Sequence, residues 1–400
     1  MGTLAFGPGY AGTAAMRSRL LTPRPTTSTE RLPAGSKAAL NDTTILNPSF
    51  RTDEAGKYVI TLVVTDSTGQ SSSTTFTVTG DPAVNVAFPG NAANFTVSSI
   101  VAGLAKGIDT PRGVTEDDAT GAIYIVNHGN RHIRRISAGA VTTVTTNGML
   151  VANDYFGGND ITYDSVTVPN QLFVSSGGAG TPGALFQVNP VTGVQTLCQN
   201  GWFRSLQMYT SAKNNTYRLV ANERGNRRVD FIDPANCTVT LRTNNFSANP
   251  GGDNIGSNWG VAANMRIIGG VPTDDIFITD RINNDHWRNE SLDVLAANNS
   301  PTNVRVSNQV NEPRHVVVTP KACAGINGHP KQIVANNGSG ELLLFANAQN
   351  GARSVFATGF NTPYGLYFES ANSLVVTDEG FNAVMRITAT NPGTFNFCNL

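Results

Sequence analysis

The sequence is dominated by a recurring unit: a hydrophobic segment, a turn, a second hydrophobic segment, a polar turn and an alternating segment. The clearest copy is Asp109–Ile136, in which Ala122–Val126 is rich in β-prone residues and Arg131–Ile136 alternates apolar with polar side chains. Turn-forming residues separate these strands at Asp117–Gly121 and Asn127–Asn130. Short antiparallel strands in this order predict most of one blade of a β-propeller.

The unit recurs about six times from Phe95 onward, at a spacing of ~40–50 residues that is typical of propeller repeats. Each inner strand is predicted to be entered through one of six equivalent stretches: Pro111–Val114, Gly158–Ile161, Phe203–Leu206, Asn258–Val261, Pro313–Val316 and Pro363–Leu366. Second strands are predicted at Ile123–Asn127, Gln171–Ser175, Tyr217–Asn222, Asp275–Asp280, Gln332–Asn336 and Ser373–Asp378. Third strands are predicted at His132–Ile136, Ala184–Val188, Arg227–Ile232, Ser291–Leu295, Glu341–Phe345 and Ala383–Ile387. The sequence therefore predicts an all-β, six-bladed β-propeller over residues 95–400.

Two segments of the predicted ring depart from the repeat. The fourth unit carries an insertion, Asn283–Glu290, which we place on a loop where recognition residues often lie. In the alternative, this stretch folds over the blade with Trp287 as its anchor. Closure of the ring is predicted to use Phe95–Val101 as the outer strand of the sixth blade, beside Thr394–Cys398. Such pairing of the two ends removes the free sheet edges of an open ring.

Three of the units, Pro111–Ile136, Tyr217–Ile232 and Pro363–Ile387, resemble the NHL repeat, which builds six-bladed propellers. The resemblance covers about three-quarters of the chain by the repeat criterion. It implies a fold more than an activity, because NHL-like propellers include binding modules as well as enzymes. Among the enzymes, peptidyl-hydroxyglycine lyases hold zinc on histidines at the channel mouth, whereas similar lactonases hold a divalent cation through Glu, Asn and Asp.

The preceding residues differ in pattern. Two long predicted strands flank a glycine turn within residues 31–82, and the matches at Asn47–Phe50, Gly56–Tyr58 and Val63–Asp66 resemble the C-terminal two-thirds of a PKD domain. This implies a partial β-sandwich, which serves as a surface-adhesion module or as a spacer. Residues 1–30 form an atypical N-terminus without the layout of a signal peptide. Residues 83–94 are predicted to be a linker.

Composition narrows the environment and the partners. The chain has 28 basic and 28 acidic residues, so its net charge gives no bulk attraction to nucleic acid or to an anionic membrane, and no apolar run approaches the length of a membrane span. The four cysteines lack the close spacing of a zinc site, and their even number favours disulfides and a secreted, periplasmic or cell-surface location. Of the three connectivities, the blade positions favour Cys198 with Cys237 and Cys323 with Cys398.

A ring of chemically distinctive residues is predicted at one mouth of the axial channel, formed by the residue just before each inner strand. Guanidinium groups that converge on one pocket match carboxylate, sulfate or phosphate, and aromatic rings stack on sugars. In the alternative, each arginine pairs with a carboxylate at the end of a neighbouring second strand and simply closes the channel. The ring is Arg112, Asn159, Arg204, Trp259, Arg314 and Tyr364, with His315 beside it. The candidate acidic partners are Glu223, Asp280, Asp378 and Glu379.

Three functions remain open from the sequence. The first is a propeller that binds an anionic small molecule or a polysaccharide at the mouth. The second is a metal-assisted hydrolase or lyase acting on a lactone, ester or uronate-like substrate, with Ser205 and His315 as a further nucleophile and base pair. The third is a scaffold for a protein partner. Oxygen ligands for a calcium or magnesium cofactor are offered by Asn222, Glu223, Asp280, Asp378 and Glu379, which are equally suited to capping turns.

Overall fold

The computed structural model describes residues 2–3, 15–16, 24–25, 30–31, 56–66, 68–80, 86–145, 158–166, 171–177, 183–211, 215–243, 258–268, 271–290, 302–320, 323, 330–346 and 353–400. The chain divides into two compact units, Met1–Asn85 and Val86–Leu400. Regular structure in the described ranges is almost all β-strand, with two short 3-10 helices at Leu104–Lys106 and Asn337–Ser339. The all-β class expected from the sequence is confirmed.

The first unit is organised around one long strand. Gly56–Thr65 pairs along its full length with Ser71–Gly80, and Asp66 stabilises the turn between them by accepting hydrogen bonds from the backbone N–H groups of Thr68 and Gln70 at 2.8 and 2.9 Å. The PKD-like motif at Asn47–Phe50 lies outside the described residues, so that resemblance stays a prediction. The remaining short strands are Arg24–Pro25 and Glu30–Arg31, which also pair with the long strand, and the pair Gly2–Thr3 with Ala15–Met16.

The second unit is a six-bladed propeller of four-stranded antiparallel sheets, as predicted. The inner strands are Pro111–Asp117, Gly158–Asp164, Phe203–Thr210, Asn258–Ile268, Pro313–Val318 and Pro363–Ser370. The second strands are Ala122–Asn127, Gln171–Ser176, Tyr217–Glu223, Val271–Asp280, Gln332–Asn336 and Ser373–Asp378. The third strands are His132–Ser137, Ala184–Val188, Arg228–Ile232, Asp285–Glu290, Glu341–Phe345 and Ala383–Ala389. The outer strands are Ala140–Thr143, Gln195–Asn200, Val239–Thr243, Thr302–Ser307, Arg353–Thr358 and, in the sixth blade, Phe95–Ala102.

Closure of the ring uses the first strand of the propeller, but not the predicted neighbour. Phe95–Ala102 completes the sixth blade by pairing with Ala383–Ala389, whereas Thr394–Cys398 lies in turns beyond the sheet. The rings of Phe395 and Phe397 instead pack on the ring of Phe95, at 5.9 and 4.9 Å between centroids. The outer edge of the third strand, Ala383–Ala389, is occupied by Phe95–Ala102, so the C-terminal residues contribute apolar contacts and no strand pairing.

The insertion predicted in the fourth blade is wrong. Asp285–Glu290 is the third strand of that blade, and the predicted third strand, Ser291–Leu295, lies outside the described residues. Trp287 and Arg288 are almost fully buried, and the ring of His286 lies 4.9 Å from that of Phe345. Burial lowers the pKa of His286 to about 4. Both faces of this strand are covered although most of its residues are polar, so a pattern of hydrophobic residues does not reveal it as a strand.

Apolar side chains fill the gaps between blades, because each sheet presents both faces to its neighbours. The cluster between the sixth and first blades includes Val114, Ile125 and Val384, each at most 4% exposed. The predicted linker, 83–94, belongs to the propeller unit from Val86 onward. Ala87 pairs with Thr358 through both backbone hydrogen bonds.

Two disulfides connect different parts of the ring, in the connectivity favoured by the sequence. Cys198–Cys237 joins the outer strand of the second blade to the turn before the outer strand of the third, and Cys323–Cys398 joins the fifth blade to the C-terminal turns. Bonds that close loops of this length typically stabilise a fold by about 2–4 kcal/mol. No helix among the described residues is long and apolar enough to cross a membrane.

Candidate functional site

A β-bulge opens each inner strand at the channel mouth. In five blades the pairing register shifts between the first and fourth residues of the strand, as between Pro111 and Val114 or between Phe203 and Leu206. In the second blade the shift falls between Gly158 and Asp160. A bulge releases a residue from the regular alternation and re-aims its side chain. The released residues are those of the predicted ring, which we call the mouth ring.

The structure brings the six residues of the mouth ring together. The guanidinium of Arg112 donates from Nη1 to Oδ1 of Asn159 at 3.2 Å, and Nη1 of Arg204 donates to the same oxygen. Trp259 lies between two arginines, with its ring centroid 4.4 Å from Cζ of Arg204 and 4.3 Å from Cζ of Arg314. One amide and one indole thus hold three cations within a single cluster.

Tyr364 completes the mouth ring. Its ring centroid lies 5.1 Å from Cζ of Arg112, 5.7 Å from Cζ of Arg314 and 6.2 Å from the ring of Trp259. The side chain is 2% exposed, and its hydroxyl has no hydrogen-bond partner among the described residues. Burial raises the pKa of this hydroxyl although the nearby arginines lower it, so the group stays a neutral donor.

Three further residues belong to the same cluster and were missed from the sequence. Arg224 lies 4.3 Å from the ring of Trp202, which precedes the third inner strand, and Arg281 lies 5.0 Å from the ring of Trp259. Both arginines directly follow a second strand. Aligning the residues after all six second strands gives the signal that finds them: His128, Gly177, Arg224, Arg281, Asn337 and Glu379.

Acidic partners neutralise only part of this cluster. Nε of Arg112 lies 2.5 Å from Glu379, and Glu312 contacts both Arg281, at 3.0 Å, and Arg314, at 3.2 Å. Arg204 forms no ion pair with a carboxylate of the described residues, and its Nε has no hydrogen-bond partner among them. The alternative in which every arginine pairs with a carboxylate therefore fits Arg112 but not Arg204.

The other candidate partners are used inside turns. Glu223 accepts hydrogen bonds from the backbone N–H groups of Trp202, Gly225 and Asn226 at 2.9–3.0 Å. Asp280 accepts from the N–H of Ile282 at 3.0 Å. Asp378 accepts from three backbone N–H groups, those of Asn361, Thr362 and Phe381, at 2.8, 3.1 and 2.9 Å. These carboxylates follow the ordinary chemistry of turn capping, which satisfies buried backbone donors.

Electrostatics single out Arg204 within the cluster. The residue is 6% exposed, and burial lowers the pKa of its guanidinium to about 9, with Arg224, Arg112 and Arg314 adding to the shift. Burying a cation without a counter-charge costs several kcal/mol, and repulsion from neighbouring cations increases that cost. An anion bound beside Arg204 removes both penalties.

Behind the mouth ring lies a layer formed by the third residue of each inner strand. It contains three glycines and three polar residues: Gly113, Asp160, Ser205, Gly260, His315 and Gly365. Nε2 of His315 lies 3.2 Å from Oδ2 of Asp160, and both groups are buried. Ser205 shares this layer, with a buried hydroxyl that has no hydrogen-bond partner among the described residues. A Cβ atom at Gly113 would come within 2.5 Å of Asp160, so glycine is needed there for the close approach of the two strands.

The predicted oxygen ligands for calcium or magnesium do not form a cluster in the described part of the chain. No group of three or more His, Cys, Asp or Glu residues there has the arrangement of a metal site. Asn222 donates from its amide to the carbonyl of Gly260 at 3.4 Å, and Glu379 is paired with Arg112. A divalent cation as cofactor stays a prediction.

Comparisons with known proteins agree on the architecture. No protein-family model matches the chain, and no curated protein matches it. Among solved structures, it is similar to an auxiliary nutrient binding protein from Bacteroides thetaiotaomicron, with 12% identity, a TM-score of 0.51 and coverage of 90% of each chain. A protein described in the same words from Bacteroides ovatus gives the same values. Regucalcin, a calcium-binding protein from Agrobacterium tumefaciens, matches with 14% identity and a TM-score of 0.50 over 74% of this chain and 94% of its own. At these identities the likeness shows a shared propeller fold alone.

Proposed function

We propose that this propeller binds an anionic ligand at the mouth ring, through a carboxylate, sulfate or phosphate group. The observation that carries the proposal is Arg204, whose guanidinium is buried among other cations and forms no ion pair with a carboxylate of the described residues. Natural proteins seldom bury a guanidinium unless it is paired. A ligand anion supplies the missing partner.

The donors around Arg204 suit such a group. Arg112 and Arg314 keep 16% and 11% of their side chains exposed, so the cluster reaches solvent at the mouth. The hydroxyl of Tyr364 offers a neutral donor that is already desolvated. Planar guanidinium groups bind oxyanions through two parallel hydrogen bonds, each about twice as strong as a neutral one.

Aromatic rings at the mouth extend the proposal to acidic carbohydrates. Trp202 and Trp259 flank the arginines, and an indole provides the apolar face on which a sugar ring stacks. The ligand class that combines both features is a uronate or a sulfated sugar, free or within a polysaccharide. The similarity in fold to auxiliary nutrient binding proteins supports testing acidic sugars as the first ligands.

The setting proposed for this activity is outside the cytoplasm. Two disulfides are expected to persist in an oxidising compartment, which supports a secreted, periplasmic or cell-surface protein. The PKD-like resemblance of residues 31–82 fits the same setting, because PKD domains occur in bacterial surface and secreted proteins, and it makes the N-terminal module a spacer. These assignments rest on the sequence motifs.

The test is calorimetric titration of the full chain with glucuronate, galacturonate, their oligomers and sulfated sugars, with glucose as the neutral control. We expect saturable binding of the charged sugars only. Arg204→Met should weaken it about 30-fold, since a hydrogen bond to a charged group contributes roughly 1.5–3 kcal/mol. Arg135→Met, on the third strand of the first blade, is the matched control. Absence of binding to wild type, or equal binding by glucose, contradicts the proposal and favours a scaffold.

A hydrolase or lyase is the second candidate, and the layer behind the mouth ring favours it. Asp160 orients the imidazole of His315, and Ser205 places a buried hydroxyl in the same layer, directly after Arg204. The arginines would stabilise oxyanion charge in such an enzyme. The test is turnover of lactones, esters or uronate oligomers by the wild-type protein. Loss of turnover in Ser205→Ala or His315→Gln, with ligand binding retained, supports this candidate. Metal analysis of the purified protein, with melting curves before and after EDTA, tests the metal-assisted form.

A further inference from the structure

The axial channel contains a cavity of about 320 Å³ beyond the Asp160–His315 pair, toward the end opposite the mouth ring. Its walls are the later parts of the inner strands. Six blades contribute one apolar residue each to a belt around it: Val114, Ile161, Leu206, Val261, Val316 and Leu366. Polar residues also line the cavity. Four of them, Glu116, Asp118, Tyr217 and Tyr367, lie at its outer end, and we call these four residues the acidic end.

The acidic end offers hydrogen-bond acceptors. The hydroxyl of Tyr367 donates to Asp118 at 3.1 Å and that of Tyr217 donates to Asp164, so the phenolic protons are already used. Burial raises the pKa of both hydroxyls, which keeps the tyrosines neutral. No lysine or arginine is found among the described residues that line the cavity.

Glu116 is a carboxyl group set among other acids. Burial raises its pKa to about 7, and Glu369, Asp118 and Asp117 add to the shift, while Arg386 opposes it. Arg386 is itself engaged by Glu369, with 2.5 Å between Nη2 and Oε1. A cation that binds close to Glu116 therefore finds a carboxylate that is not engaged in an ion pair.

The inner end of the cavity adds an acceptor of a different kind. Asp160 accepts hydrogen bonds from the backbone N–H groups of Ile161 and Leu206 at 2.9 and 2.8 Å, and it faces Nε2 of His315. A neutral imidazole that donates from Nε2 carries a lone pair on Nδ1. Nδ1 of His315 is buried without a hydrogen-bond partner among the described residues, and His315, whose side chain is 9% exposed, lines the cavity.

We propose that this cavity is a second binding site, which takes a small aliphatic ammonium compound such as a short diamine. The ammonium group lies between Glu116 and Asp118, against the faces of Tyr217 and Tyr367, and tyrosine faces attract cations within about 6 Å. The alkyl chain follows the apolar belt, and a second amino group lies at the inner end of the cavity, beside Asp160 and His315. This site is separate from the anion site, so either proposal stands or falls without the other.

The first test needs no variant. The full chain is titrated at pH 8 with 1,4-diaminobutane and with 1,4-butanediol, a neutral compound of the same length. We expect saturable binding of the diamine at one site and at least tenfold weaker binding of the diol. Equal binding of the two compounds, or no saturable binding of the diamine, overturns the proposal.

A pair of carboxylate variants then locates the site. Glu116→Gln should weaken diamine binding about tenfold, whereas Glu341→Gln, on the third strand of the fifth blade and outside the cavity lining, should leave it within twofold of wild type. The melting curve of each variant shows whether it is folded. A folded Glu116→Gln protein that binds the diamine as well as Glu341→Gln does overturns the proposed location. If Glu116→Gln does not fold, Tyr367→Phe, which keeps the ring and frees Asp118, should tighten diamine binding, and weaker binding overturns the location.

Discussion

The two ends of the propeller channel are built from the same six strands, yet they carry opposite chemistry. At the mouth ring, Arg204 is surrounded by cations and shares an amide oxygen with Arg112. At the acidic end, Glu116 is surrounded by carboxylates and tyrosines. At each end, burial displaces the pKa of one group and like-charged neighbours add to the shift, and each displacement marks a site that favours a counter-ion.

The separation of these ends follows from strand geometry. Arg112 and Glu116 are four residues apart on one strand, which corresponds to about 13 Å at ~3.3 Å per residue. That distance exceeds the Debye length of ~8 Å at physiological ionic strength, so exposed charges at the two ends are largely screened from each other. The apolar belt and the Asp160–His315 pair lie between them. One short strand can thus support two independent sites.

The largest expected effect comes from removing two cations at the mouth. Arg204→Met combined with Arg314→Met should weaken binding of an acidic sugar by about 100-fold or more, from roughly 1.5–3 kcal/mol per charged hydrogen bond. Diamine binding at the other end should change less than twofold. Calorimetric titration of both ligands measures the two effects. A parallel loss at both ends contradicts their independence.

Removing an acid from the mouth should act in the opposite direction. Glu379→Gln frees Arg112 from its ion pair, so we expect an acidic sugar to bind about tenfold more tightly, with a steeper dependence on salt. Glu341→Gln serves again as the distant control. Weaker binding in Glu379→Gln would show that this carboxylate positions Arg112 for the ligand.

At the acidic end, the expected effect is on stability and depends on pH. The pKa of Glu116 is raised from 4.5 to about 7 in the folded state, so its favourable contribution is complete below pH 4.5 and is lost as the pH rises through 7. Glu116→Gln should therefore be more stable than wild type at pH 8 by about 1 kcal/mol, since partial exposure screens the group. At pH 4.5 the two should be nearly equal. Urea unfolding of both proteins at both pH values measures this effect. If the difference in the free energy of unfolding is the same at pH 4.5 and pH 8, titration of Glu116 is not its cause.

The smallest effect is expected from the unpartnered hydroxyl at the mouth. Tyr364→Phe should weaken the binding of an acidic sugar about threefold to fivefold, which corresponds to one neutral hydrogen bond of roughly 1 kcal/mol. The substitution should not lower the melting temperature, because the hydroxyl has no hydrogen-bond partner among the described residues. Titration and a melting curve provide the measurement. A large loss of stability would mean that this hydroxyl is satisfied within the fold.

Much of the fold could be predicted because it repeats. The predicted entry stretches, such as Pro111–Val114 and Pro363–Leu366, are where the structure begins the inner strands, and the cysteine pairing followed from blade positions. The prediction failed in the fourth blade because the third strand is buried over Asp285–Arg288 while its sequence is mostly polar. Turn-forming residues next to this strand, such as Asn283 and Asn284, favoured the prediction of a loop.

The sequence by itself determined that six similar units close into one propeller and that three arginines, two aromatic residues and an amide occupy equivalent positions at their starts. Only the tertiary structure decided which arginines are neutralised, because Glu312, which pairs with Arg314, was not among the predicted partners, and Arg204 has no carboxylate partner among the described residues. Glu379 reaches Arg112 across the closing seam, whereas Glu223, Asp280 and Asp378 turn to backbone donors in their own blades. Periodicity is a local property that composition and spacing reveal, but charge pairing depends on distances of a few ångström between segments far apart in the chain, and bulges and ring closure set those distances.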